Sequence, residues 1–301
     1  MRINLLNHYR LLSFLSGWLA VAALPPYHVF PVLFVCFSLL LWFIQNSNSK
    51  SMAFKSGYYF GFAFFAFGLA WINNALLLDA KAFGWLVPIA FLASGFFFGL
   101  FVAIPTWLSW YTKKDWTRYL AFSAFFVIFE WIRSFFLTGF PWNLIGSTLA
   151  FSDILIQAAS LGGTYFLSLL VLLAAGAPFL YLNSKGKKRL KISASIIVVI
   201  LVFLIGFGYF KIKAHPYQAS STIIRLVQPA IPQSLKWNAA ALSDNLERHI
   251  KLSQLPGFDN VDFVIWGETA FPYAIEQDIY HRQMLQYAIP PQGYLITKTS
   301  I

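Results

Sequence analysis

Glu268 follows the apolar run Phe263-Val264-Ile265-Trp266, one glycine on, and precedes Thr269-Ala270-Phe271-Pro272. A carboxylate at the end of a strand, among apolar neighbours, is pushed toward its protonated form by desolvation and can act as a general base. An ordinary surface glutamate in a loop would occupy the same position equally well. Glu130 and Arg133 lie three residues apart in an apolar stretch, so they share a helix face and can pair. Such a pair either anchors its helix near one membrane surface or binds a phospholipid headgroup. Asn73 and Asn74 fall near the end of another apolar stretch, where amides hydrogen-bond between helices. The single cysteine, Cys36, lies inside an apolar run; it excludes an intrachain disulfide and reads as a buried, inert thiol.

The elements that must position these groups are set by composition. Hydrophobic residues make up 58% of the chain and charged residues 11%, far from the roughly 25% charged of a soluble domain. Seven apolar stretches read as membrane helices, at about 11–24, 29–44, 52–78, 83–111, 116–137, 154–182 and 192–210. The first two are short and separated by Pro25 and Pro26, which leaves two tight spans or one re-entrant hairpin. The net charge of +11 does not point to nucleic acid, because residues 1–213 hold 16 Lys/Arg against 4 Asp/Glu while residues 214–301 hold 6 against 7. The basic excess belongs to the membrane part.

Lys and Arg in short loops are retained on the cytoplasmic side. With the N-terminus inside, the inner loops hold twelve basic residues, from Arg2 and Arg10 to Lys191, and the alternate loops only Lys81 and Arg133. This predicts a cytoplasmic N-terminus and places everything past Phe210 outside. A cleaved leader is the rival reading of the N-terminus, since Arg2 and Arg10 precede an apolar stretch with Ala20-Val21-Ala22. In the N-inside arrangement Asn73, Asn74, Glu130, Arg133 and the turn ending in Trp142 all fall toward the outer side, where the soluble segment would dock.

From Ser220 the pattern changes to strand, helix, strand, helix, strand. Thr222 to Val227, Val261 to Trp266 and Tyr294 to Thr297 read as strands. Asn238 reads as the N-cap of a helix carrying Leu242, Leu246 and Ile250, and a second helix is predicted over 278–288. Such alternation argues for an α/β layered domain. The fold class is therefore a polytopic α-helical membrane domain over 1–213, followed by an α/β domain over 220–301. The stretch 220–301 is short for such a domain, so the chain is expected to be C-terminally truncated.

Several of these segments together carry a resemblance. They are Trp71-Ile72-Asn73-Asn74-Ala75-Leu76, Glu130-Trp131-Ile132-Arg133, Thr138-Gly139-Phe140-Pro141-Trp142-Asn143, Ser160-Leu161-Gly162-Gly163, and the pair Val227-Gln228-Pro229 through Trp237 and Ile265-Trp266-Gly267-Glu268. In this order they resemble the apolipoprotein N-acyltransferases, over nearly the whole chain. Gly267 departs from the pattern, which usually has Pro before the Glu. The resemblance implies a nitrilase-like αββα sandwich on the periplasmic face of a bacterial inner membrane, with a Glu, Lys and Cys triad. It implies two-step transfer of an acyl chain from a phospholipid, through a cysteine thioester, to the N-terminal diacylglyceryl-cysteine of an apolipoprotein. Glu268 would be the triad's base. Trp237 would contact acyl chain or headgroup, or else simply pack at the start of its helix. No cysteine follows Cys36, and Lys298, the only lysine after Glu268, lacks the family's lysine context; the chain by itself is expected to be inactive. No metal or organic cofactor is implied, and a monomer is expected. The alternative is a non-catalytic lipid-binding or transporter-like membrane protein built on Glu130 and Arg133, although no convincing internal repeat is present.

Overall fold

The computed structural model describes residues 2–184, 186–236, 238–267, 270–271, 273 and 278–298, and the chain divides into two compact units, Met1–Pro216 and Tyr217–Ile301. In the first unit each of the seven apolar stretches contains a helix: α1 Tyr9–Ala20, α2 Val32–Gln45, α3 Lys50–Gly68, α4 Leu86–Trp110, α5 Asp115–Arg133, α6 Ala159–Asn183 and α7 Lys187–Ala214. Helix ends follow local chemistry. Ser49 caps α3 by accepting the Met52 N–H at 3.2 Å, and Pro25 and Pro26 lie just past the turn that ends α1.

Length and charge separate these helices. Among the described residues, α4, α6 and α7, with 25, 25 and 28 residues, are long and apolar enough to cross a bilayer, since a rise of 1.5 Å per residue gives about 37–42 Å against a hydrocarbon core of about 30 Å. A fourth qualifies if α3 and the segment Ala70–Phe83, bent from it by 44°, count as one span. The 12 residues of α1 and 14 of α2 reach only about 18–21 Å. The 19 residues of α5 carry Asp115, Arg118, Glu130 and Arg133, more charge than an unsupported span tolerates.

Lipid tails are as apolar as side chains, so helices in a membrane are joined by close packing. α1 buries Ser13, Ser16, Gly17 and Ala20, one helical face of small residues, and packs on α3. A Cβ at Gly17 would lie 2.0 Å from the Phe60 carbonyl oxygen, so only glycine permits that approach. Phe37, Phe60, Phe122 and Phe126 fill the centre, with Phe37 5.5 Å from Phe60 and edge-on to Phe126 at 5.7 Å. At the start of α6, Gly163 takes φ 70° and breaks the helix there.

The end of the bundle at the α5 N-terminus is pinned by Arg118, which is buried. Its guanidinium donates to Gln45 Oε1 at 2.7 Å, Ser109 O at 3.3 Å, Trp110 O at 2.9 Å and the Thr112 carbonyl. One side chain thus gathers the C-terminal ends of α2 and α4 onto α5.

The second unit holds a parallel sheet of β1 Ile224–Val227, β2 Phe263–Trp266 and β3 Tyr294–Ile296, in the order β1-β2-β3. Ile224 pairs with Phe263 and Val227 with Trp266; Phe263 then pairs with Tyr294. Parallel neighbours need crossovers, and α8 Leu242–Ser253 and α9 Ile279–Met284 lie within them. Leu246 and Ile250 of α8 are buried with Val227, Val264, Trp266 and Phe271. Asn238 accepts the Ala240 N–H at 3.0 Å, capping a short 3-10 turn that leads into α8 rather than α8 itself. Arg225 closes the far end of α8, donating to Ser253 O, Leu255 O and Pro256 O at 2.6–2.8 Å.

Candidate functional site

Arg133 and Glu130, which share a face of α5, hold the loop that follows it. Arg133 is 1% exposed; its Nη1 donates to Phe140 O at 2.7 Å and Trp142 O at 2.6 Å, and its guanidinium lies 4.8 Å over the Phe65 ring. Glu130, 4% exposed, accepts the Ile145 N–H through Oε1 at 2.8 Å. Among the described residues the two charges form no direct ion pair; each takes a backbone group instead. Their burial keeps both away from a headgroup at the surface, and their contacts are those of anchors. Glu130 Oε2 and Arg133 Nε and Nη2 are buried without a hydrogen-bond partner among the described residues.

The loop needs these anchors. Leu137, Gly139 and Asn143 have φ of 60°, 82° and 55°, and a residue with a Cβ costs roughly 1–2 kcal/mol in that region. Arg133 and Glu130 grip it on either side of Asn143. Ser134 Oγ, hydrogen-bonded to the Tyr165 hydroxyl, ties the same region to α6.

What the loop presents is one wall of a cavity of about 810 Å³, within the range of small-molecule sites. Val21 and Leu24 beyond α1, Phe67 and Trp71 at the end of α3, and Trp142 and Asn143 of the loop line it. Trp71 and Trp142 meet edge to face at 5.3 Å, each about half exposed. Asn143 Nδ2 is buried with no hydrogen-bond partner among the described residues, against Gly68, where a Cβ would come within 2.6 Å of it. The space is lined mainly by apolar side chains, with Asn143 among the few polar residues of its wall.

Asn73 and Asn74 lie in the 3-10 segment Ala70–Asp79 that bends away from α3; Asn73 is buried and Asn74 exposed. Neither lines the cavity, and among the described residues neither side chain hydrogen-bonds a neighbouring helix.

Residues 16–177 match the model of the apolipoprotein N-acyltransferase N-terminal domain. The chain belongs to the apolipoprotein N-acyltransferase family. It is 35% identical over 261 residues to an apolipoprotein N-acyltransferase of Rickettsia typhi, covering 87% of this chain and 52% of that protein. It is 34% identical over 293 residues to that of Brucella melitensis, covering 91% and 54%, and 30% identical over 303 residues to that of Rhodopseudomonas palustris, covering 95% and 56%. The chain spans about half the length of the curated relatives it matches.

The apolipoprotein N-acyltransferase N-terminal domain is thus the part that the family model recognises, and the residues that line the cavity all fall within it. Glu268 and Trp237 lie outside the described residues. Gly267, the last described residue before Glu268, follows β2 directly, at the carboxyl end of the central parallel strand, where ligand sites of open α/β sheets form. Cys36 is fully buried in α2. Asn143 enters the sequence pattern only as the last residue of the stretch 138–143; the residue type itself, which tolerates the left-handed φ of 55° better than most, is the one trace of its role in the sequence.

Proposed function

We propose that this chain supplies the membrane half and part of the catalytic domain of an enzyme that moves an acyl chain from a phospholipid to the α-amine of a diacylglyceryl-cysteine on an apolipoprotein. The observation that carries this reading is the cavity walled by Trp71, Trp142 and Asn143, in a domain of this family. We assign it to one acyl chain of the donor lipid, with the Asn143 amide donating to an ester carbonyl. Glu268 is the general base of a nitrilase-like αββα domain to which β1, β2, β3, α8 and α9 belong, and Trp237 is an aromatic contact for acyl chain or headgroup. The loop charges favour a cytoplasmic N-terminus and a periplasmic 217–301 unit in the inner membrane.

The chemistry of the family's reaction needs a thiolate that attacks the phospholipid ester, releases the lysolipid and carries the acyl group as a thioester, with a lysine stabilising the tetrahedral oxyanion. Cys36 is the one cysteine of this sequence and is buried among apolar side chains. We therefore propose that the chain on its own binds the donor without turning it over. The test is titration of fluorescent phosphatidylethanolamine into the purified full chain in micelles, followed by hydroxylamine treatment. Saturable binding, weakened at least about fivefold by Trp142→Ala, with no hydroxylamine-sensitive adduct, is expected. Binding indifferent to Trp142→Ala removes the cavity assignment, and a stable adduct removes the proposed inactivity.

A further inference from the structure

The end of the bundle remote from the cavity carries a second arrangement. Asp115 opens α5 and Lys187 opens α7. Arg189 Nη2 reaches across to Asp115 Oδ2 at 3.1 Å, and its guanidinium lies 5.7 Å over the Trp116 ring. This ion pair brings the α4–α5 joint, with Lys113 and Lys114, beside the start of α7, with Lys187 and Lys188 in its first turn and Lys191 just after it. All five lysines are exposed, and among the described residues none has an ion-pair partner. The other acids before residue 214 are elsewhere: Asp79 in the segment after α3, Glu130 in the last turn of α5, and Asp153 in the connection before α6.

Such a concentration works against the fold. Cations in the first turn of a helix oppose its dipole, and the first turn of α7 contains no acidic residue. Retention of loops on one side of the membrane depends on the number of basic residues; it does not require that two loops be fastened together so that their lysines share one rim. Trp116 at the join and the exposed Leu190 beside it give the rim the aromatic and apolar character of the membrane–water boundary.

We propose that this rim binds the phosphodiester headgroups of net-negative phospholipids, at a site separate from the cavity proposed for the acyl donor. Arg189 and Asp115 build the site, and the five lysines supply the attraction, which the bilayer surface concentrates.

The test uses the full chain purified in neutral detergent, with phosphatidylglycerol, phosphatidylcholine or inorganic phosphate added. Lipid retention is read by native mass spectrometry and stability by thermal unfolding. Phosphatidylglycerol should be retained over phosphatidylcholine and raise the midpoint. The triple variant Lys187→Gln, Lys188→Gln, Lys191→Gln should weaken phosphatidylglycerol retention at least about tenfold, and the matching triple replacement by Arg should retain it. A roughly tenfold rise in ionic strength should erase the preference. Equal retention of both lipids, or a Gln triple variant indistinguishable from the parent, overturns the proposal. Protection by inorganic phosphate equal to that by phosphatidylglycerol overturns the lipid assignment. Binding of fluorescent phosphatidylethanolamine, sensitive to Trp142, should be unchanged in the Gln variant, so the two sites fail separately.

Discussion

Two buried arginines stand at opposite ends of α5 and do different work. Arg118 uses Nε, Nη1 and Nη2, all bonded to the ends of α2 and α4. Arg133 uses one nitrogen for two loop carbonyls and leaves Nε and Nη2 without hydrogen-bond partners among the described residues. Around Arg118 the chain is ordinary helix and tight turn. Around Arg133 it carries left-handed residues and borders a cavity. Saturated hydrogen bonding fixes the first end; the second is held by fewer bonds and leaves open space beside the loop. The difference also separates stability from binding, since a group can be anchored without being spent.

The comparison breaks first at Arg118. Arg118→Ala strands several buried carbonyls and should cost about 3–5 kcal/mol, measured as loss of the folded chain in detergent by thermal unfolding; a change under about 1 kcal/mol would show that the base is not pinned by this residue. Arg133→Ala should cost less, about 2–3 kcal/mol, but lower fluorescent phosphatidylethanolamine binding as well, because Trp142 loses its anchor. If Arg133→Ala destabilises without touching binding, the loop does not form the cavity wall. Leu137→Gly should stabilise by about 1 kcal/mol, relieving a left-handed backbone at φ 60°, as a small rise in midpoint.

The smallest expected effect lies in the other unit. His249 is buried against the Trp266 ring at 4.8 Å and shares a hydrogen bond with Asn245 O. Burial holds its pKa below the usual 6.5. The unfolded chain then binds the proton more readily, so stability is full above about pH 6.5 and falls as pH drops from there toward the depressed folded value. Full-chain unfolding midpoints read across that window should show the slope, and His249→Asn should flatten it.

Much of this fold was legible in the sequence, for identifiable reasons. A membrane helix must satisfy its backbone internally, so apolar runs bounded by charge and proline mark α1 to α7 directly. The alternation after residue 220 placed β1, β2, β3 and α8 because strand and helix periods differ. Span count was less legible: apolar length predicts a helix, but α1 and α2 stop short of bilayer thickness, and α5 carries its charges at both ends. The partners of Glu130 and Arg133 were not legible. Spacing of three puts two side chains on one face; it does not reveal that the Ile145 N–H and the Phe140 and Trp142 carbonyls return to meet them. The cavity was hidden for the same reason, since its lining comes from four separate stretches of chain. The five lysines of the rim were visible as inner-loop charges, but their gathering by Arg189 and Asp115 was not.

The seat of α1 on α3 has a consequence for assembly. α1 is too short to cross a bilayer by itself, and at Gly17 it is fitted to the Phe60 carbonyl by shape alone. No charge or proton is involved, so neither salt nor pH should release it. α1 is therefore secured in the bundle only once α3, made after it, is there to receive it. A methyl group at position 17 would be enough to evict it.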